Sequence, residues 1–235
     1  MIPATLPLVR HAHSRRVSIH SDIKARQGHL SNLWVFDSPK INRRFTVHGD
    51  VNFMHLVLLE GDVNVVSYDP APQPVFADIE NDKVQTFLDA IVYFRDGHEE
   101  WWEFKRAADA GPTRRGRAKR QLSAQAQAAG AAGKKYVIKT ERDLEGRSYE
   151  FDNWLHLCAM ITRARGIAHF KESELLRQRL CAHDYANVGM LLQEPNIDSG
   201  LMLSAIASAL QQGHAYAELQ CELLGTHTTL RRRQA

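Results

Sequence analysis

The stretch from Asp89 to Lys105 constrains this chain more than any other. Ala90, Ile91, Val92, Tyr93 and Phe94 form an apolar, β-favouring run. Asp96-Gly97 then suits a tight hairpin turn, because glycine accepts a positive φ. Trp101-Trp102-Glu103-Phe104-Lys105 reads as the return strand. Side chains alternate faces along a strand, so Glu103 and Lys105 project from one face. Folding at Asp96-Gly97 carries Asp89 back to the end of that second strand. Two carboxylates and an ammonium are thereby expected at one end of a small sheet. Trp101, Trp102 and Phe104 are interleaved with them, which sets the charges beside a core rather than on a polar loop.

That grouping has a chemical use. Two carboxylates can share a hard divalent cation such as Mg²⁺ or Mn²⁺, which takes oxygen ligands. A metal there polarises a phosphoryl oxygen and helps generate hydroxide. A neighbouring lysine can orient or deprotonate water, or stabilise charge building on phosphate. An Asp followed by Glu-x-Lys on the next strand resembles the pattern of the PD-(D/E)xK phosphodiesterase superfamily. The plainer alternative is a solvated strand face carrying a Glu103–Lys105 ion pair.

At 235 residues the chain can hold one large domain or two small ones. With 44% hydrophobic and 24% charged residues it has an ordinary globular composition. No apolar run approaches the ~20 residues of a membrane span, and no secretory leader is expected at the N-terminus. Cys158, Cys181 and Cys221 are scattered and odd in number, so neither a disulfide framework nor a cysteine zinc site is expected, and a reducing cytoplasm is. The net charge is only +3, but the basic residues cluster, and clusters matter more than totals for nucleic acid.

Residues 1–45 read as a basic, poorly periodic leader containing Arg10, Arg15, Arg16, Lys24, Arg26, Lys40, Arg43 and Arg44. It is either an arm laid along phosphates or a segment with no specific role. His11 and His13 have a spacing that can hold a metal but more commonly stays solvated. A helix is expected from Asp50, its cap, to about Glu60, followed by strands over 63–68 and 73–79, a turn at 80–83 and the hairpin over 84–94 and 99–106. Thr113 to Gly130 reads as a helix whose first turns carry Arg114, Arg115, Arg117, Lys119 and Arg120, candidates for phosphate contact. Lys135 to Lys139 is a short strand. The order matches an α/β fold with the αβββαβ core of restriction-endonuclease-like nucleases, over 46–142.

From about 143 to 235 the pattern is mostly helical, with apolar faces at 151–161, 172–180 and 186–192. Asp198-Ser199 caps a further helix that Gly213 closes, and 215–224 is expected to form a last one. An extended basic tip at Arg231 to Arg233 follows. This succession is winged-helix-like; a generic helical bundle is the alternative.

The motifs Leu58-Leu59-Glu60-Gly-Asp62, Gln73-Pro74, Leu88-Asp89, Glu103-Phe-Lys105 and Tyr136-Val-Ile-Lys-Thr-Glu141 occur in that order. Together they resemble the TnsA family, the endonuclease subunit of heteromeric transposases, over roughly residues 48 to 145. The resemblance implies a Mg²⁺-dependent endonuclease that nicks DNA at transposon ends beside a DDE-type transposase and an AAA+ regulator. By the same resemblance Asp89 and Glu103 hold metal, with the Phe104 carbonyl as a third donor, and Lys105 positions or activates water. Two departures stand out. Pro-Asp-Phe is Leu88-Asp89-Ala90 here. The helix before Gly61 lacks the family's acid, with Asn52 near that position and Asp50 or His55 as substitutes. A subunit that binds transposon-end DNA and recruits partners without cutting is the alternative function. A repair or junction nuclease of the same superfamily is disfavoured by the Gln73-Pro74 and Tyr136–Glu141 motifs.

Overall fold

A computed structural model describes residues 31–79, 82–110 and 117–233. A four-stranded sheet with the order β3 (Val65–Asp69), β6 (Ala90–Phe94), β7 (Glu99–Phe104) and β8 (Lys135–Lys139) lies at its centre. β3 with β6 and β6 with β7 pair antiparallel, and β8 joins β7 in parallel. A parallel neighbour needs a crossover, supplied here by α3 (Arg117–Ala131).

The two faces of β7 divide the core. Trp102 and Phe104 turn toward α1 (Asp50–Gly61) and join a cluster with Phe53, Leu56, Val57 and Leu59. Trp101 turns the other way and packs with Leu88 and with Ala124, Ala128 and Ala129 of α3. The alanines allow α3 to lie close on the sheet, which makes a helix–sheet–helix sandwich. The Asp96-Gly97 turn forms as its residues predict. Gly97 has a φ of 89°, its N–H donates to the Phe94 carbonyl at 3.0 Å, and Tyr93 pairs with Glu99.

Several expectations are corrected. Val84 to Phe94 is not one strand. It divides into β5 (Asp82–Thr86), which pairs with β4 (Val75–Ile79) in a separate ribbon against α3, and β6, with Phe87, Leu88 and Asp89 between them. Part of the expected leader is ordered core: β1 (Leu33–Ser38) and β2 (Arg43–His48) form a hairpin over α1, with Phe36 and Val47 buried and Trp34 stacked on Phe53 at 4.5 Å. Gly49, not Asp50, caps α1. Arg10 to Arg26, with His11 and His13, lie outside the described residues, as do Arg114 and Arg115.

A single turn, α2 (Ala107–Ala110), precedes α3. Beyond a 3-10 turn at Glu141–Leu144 come α4 (Ser148–Arg163), α5 (Phe170–His183), β9 (Tyr185–Asn187), α6 (Val188–Leu192) and α7 (Ser199–Gln212). Asp198 caps α7 through the Leu201 N–H, and Gly213 ends it in the left-handed region. The last expected helix does not form. Residues 215–224 hold a two-residue strand, β10 (Ala215–Tyr216), then turns. β11 (Thr229–Arg232) pairs with β10 on one side and β9 on the other. No break in packing occurs at 142/143, because Trp154, Leu157 and Cys158 of α4 and Met202, Ile206 and Leu210 of α7 share one apolar cluster with α1 and the central sheet. Among the described residues, no helix is long and apolar enough to cross a membrane.

Candidate active site

Asp89 stands at the entry to β6. Its N–H donates to the Trp102 carbonyl at 3.1 Å, and its Oδ2 accepts the Phe104 N–H at 2.7 Å. The side chain is thus held across the end of β7 by the backbone. Glu103 lies on β7 facing α3 and is 1% exposed. The Lys105 Nζ donates to Glu103 Oε1, and the Lys105 N–H donates to the Lys139 carbonyl at 2.9 Å, which extends the β7–β8 ladder past the last strand residue. The structure therefore brings Asp89, Glu103 and Lys105 together, as the hairpin geometry predicts.

Three uncharged residues complete the surroundings of Glu103. Gln125 of α3 donates to Glu103 Oε2 at 2.8 Å and to the Phe87 carbonyl at 2.6 Å. The Tyr136 hydroxyl of β8 donates to Gln125 Oε1 at 2.7 Å, which fixes how that amide is turned. Gln121, one turn earlier, lies 3.4 Å from Glu103 Oε1. Sequence reasoning did not single out Gln121, Gln125 or Phe87. The available signal was two amides at i and i+4 in an otherwise alanine-rich helix, a spacing that sets both on one face.

Burial pushes the Asp89 carboxyl up, against the opposing pull of the Phe104 N–H, the Lys105 charge and a hydrogen bond with Glu103. Burial also pushes Glu103 up to about 7, and the Asp89 charge adds to the rise, while Lys105 and Gln125 pull it down. Two acids facing each other in a desolvated site disfavour double ionisation, which favours a proton on the pair. Such a pair is a hard-oxygen donor set whose proton a divalent cation can replace. Burial likewise raises the Tyr136 phenol, with the Glu103 and Asp89 charges adding to it, so the hydroxyl keeps the proton it donates to Gln125.

The helix-acid position differs from the three central residues. Asn52 lies half-buried in the first turn of α1 and carries no charge. Asp50 Oδ1 accepts the Asn32 amide at 2.8 Å and the Trp34 indole N–H at 2.9 Å, so it braces the β1–β2 hairpin. His55 is buried, stacks on Phe104, and places Nε2 2.9 Å from the Thr140 carbonyl. A carbonyl only accepts, so Nε2 carries the proton, and burial keeps the ring neutral by lowering its pKa. His55 therefore serves the face of β7 opposite Glu103. Among the described residues no hydrogen bond joins Asn52 or Asp50 to Asp89, Glu103 or Lys105, and no cluster of three His, Cys, Asp or Glu side chains has the geometry of a metal site.

Of the basic candidates, Arg117 opens α3, while Lys119 and Arg120 are exposed in its first turns, directly before Gln121. The cationic end of α3 thus adjoins the carboxylate pair. Arg231, Arg232 and Arg233 are exposed at the other sheet, on and after β11. No family model matches this chain, and no curated protein matches it.

Proposed function

We propose that this chain is a metal-dependent DNA endonuclease subunit of the TnsA type, with Asp89 and Glu103 as metal-binding carboxylates and Lys105 as the catalytic lysine. The observation that carries this reading is the facing pair Asp89 and Glu103, with Lys105 on Glu103, at one end of a mixed sheet with a helix on each face. The order α1, β3, β6, β7, α3, β8 supports a restriction-endonuclease-like core, in which β4 and β5 are an insertion. The order α5, β9, α6, α7, β10, β11, with strands arranged β10-β11-β9, supports a winged-helix-like second unit over 143–235.

Mg²⁺ or Mn²⁺ held by Asp89, Glu103 and the Phe104 carbonyl would polarise a phosphoryl oxygen and lower the pKa of a bound water. The protein's own part is positional. The Phe104 N–H fixes Asp89, Gln125 fixes one oxygen of Glu103, and Lys105 leaves the other oxygen to direct a water or a phosphate oxygen. Arg114, Arg115, Arg117, Lys119 and Arg120 would carry duplex phosphates toward the pair. α7 has no charged residue, which disfavours it as a helix that reads bases. The DDE-type transposase and the AAA+ regulator are the partners this reading calls for.

The neutral Asn52 and the two-acid donor set favour a second reading, a nuclease-fold subunit that holds transposon-end DNA without cutting. End-labelled transposon-end duplexes incubated with Mg²⁺ or Mn²⁺, with and without the cognate transposase, separate the two. Strand-specific cleavage that disappears in Asp89→Asn supports the nuclease. Salt-sensitive binding with no cleavage under any of these conditions supports the binding subunit.

A further inference from the structure

Beside the carboxylate pair, β5 and α3 enclose an open cavity of about 730 Å³, within the roughly 300–1,000 Å³ of sites that take small ligands. Among the described residues it is lined by Lys83, Gln85, Thr86 and Phe87 on one side and Arg120 and Gln121 on the other. That described lining offers the Lys83 and Arg120 cations, the Gln85 and Gln121 amides, Thr86, Val84 and the Phe87 ring, with no carboxylate among those described residues. Phe87 is 60% exposed, which is unusual for a phenylalanine one residue before the buried Leu88 and two before Asp89. Lys83 also stands over the Phe76 ring at 5.4 Å, so the β4–β5 ribbon presents aromatic rings and a cation together. The cavity is continuous with the site through two links: Gln121 lies 3.4 Å from Glu103, and the Phe87 carbonyl holds Gln125.

An aromatic face with cations and amides around it, open to solvent, matches what an unpaired nucleotide presents: a π-face, hydrogen-bonding base edges and a phosphate. A base pair in duplex offers no such face. We infer that this cavity takes one unpaired nucleobase of the substrate strand, stacked on Phe87 with its phosphate toward Lys83 and Arg120, next to the phosphate at Asp89 and Glu103. The inference rests on the nuclease reading and deepens it, since it makes the preferred substrate a duplex opened or frayed beside the cut. Unstacking a base costs least where pairing is already broken, so the selectivity follows from the geometry.

The test is fluorescence anisotropy in EDTA, with a blunt duplex and with the same duplex carrying a short single-stranded overhang that contains 2-aminopurine. The wild-type protein should bind the overhang duplex about ten-fold more tightly, the scale of one stacking contact, and should change the 2-aminopurine emission. Phe87→Ala should lose the preference, and Phe87→Trp, which keeps a ring, should retain it; the position is exposed, so folding is spared in both variants. Equal affinity for the two duplexes, or a preference that survives Phe87→Ala, overturns the inference. Nicking in Mn²⁺ is scored separately. Asp89-dependent nicking without a Phe87-dependent preference removes the base site and leaves the nuclease. A Phe87-dependent preference with no nicking keeps the base site and removes the nuclease.

Discussion

Glu103 is the residue on which acid–base behaviour and function meet. Its folded pKa is raised from 4.5 to about 7, chiefly by burial. Between those values the folded protein holds a proton that the unfolded chain has released, so stability present below pH 4.5 is lost as pH rises through about 7. A divalent cation acts in the opposite sense, because it binds the deprotonated pair. Mn²⁺ should therefore raise the melting temperature more at pH 8 than at pH 6, and Asp89→Asn should remove that difference. Calorimetry at the two pH values checks this, and an equal metal effect at both would count against a titrating pair. Tyr136→Phe removes one hydrogen bond to Gln125 and should cost about 1 kcal/mol, with a larger fall in nicking than in stability if Gln125 orients Glu103. Asp89, Glu103 and Lys105 were legible in the sequence because a two-residue turn and strand alternation are local rules. Gln125 was not, because its role depends on how α3 lies over β7. His55 misled for a related reason: helical spacing relates it to Asn52 but says nothing of the Thr140 carbonyl that engages it.

Elements were readable where their ends carry their own signals. α7 has Asp198 at one end and Gly213 at the other, and forms where its caps predict. The β1–β2 hairpin was hidden because its apolar positions Trp34, Phe36, Phe45 and Val47 are spread among basic residues and its turn uses Asn42 at a φ of 50°. The segment after Gly213 is rich in helix formers, yet Ala215, Ala217 and Leu219 are buried at every second position. That period of two is an extended signal which composition masked. Tertiary contacts enforce it: Asn153 of α4 donates to the Leu219 and Glu222 carbonyls at 2.8 and 2.7 Å and accepts the Leu224 N–H at 2.7 Å. At the junction of α1 and α4, a Cβ on Gly61 would lie 2.0 Å from Trp154 Nε1. Gly61→Ala should therefore cost roughly 1–3 kcal/mol by forcing the two helices apart. An unchanged denaturation midpoint would show that the helices are not packed this closely.

Across the whole molecule, a buried carboxylate ties together elements far apart in sequence. Glu60 of α1 accepts Ser38 Oγ at 2.5 Å, Tyr68 OH at 2.6 Å, the Lys40 N–H at 3.0 Å and Gln211 Nε2 at 2.9 Å. The β1–β2 hairpin, β3 and α7 therefore meet on one side chain. Burial raises the Glu60 pKa, against the pull of Ser38, Tyr68, the Lys40 N–H and the Lys40 charge. Glu60→Ala leaves those four buried donors without their acceptor and should cost about 3–5 kcal/mol by urea denaturation, far more than loss of an exposed acid would. Truncation after Leu144 should abolish cooperative unfolding, since Trp154, Leu157 and Ile206 belong to the same apolar cluster as Phe53 and Trp102. The change from strands to helices near 142/143 was legible, but one apolar core spans it, and composition carries no sign of that. We propose that Asp89, Glu103 and Lys105 form one phosphodiester-cleaving site. Nicking of a supercoiled plasmid in Mn²⁺ tests it most directly. The wild-type protein should convert supercoiled to open-circle DNA, and Asp89→Asn and Lys105→Ala should each slow that conversion by about 10²–10⁴-fold while still binding DNA; both variants nicking at the wild-type rate would contradict it.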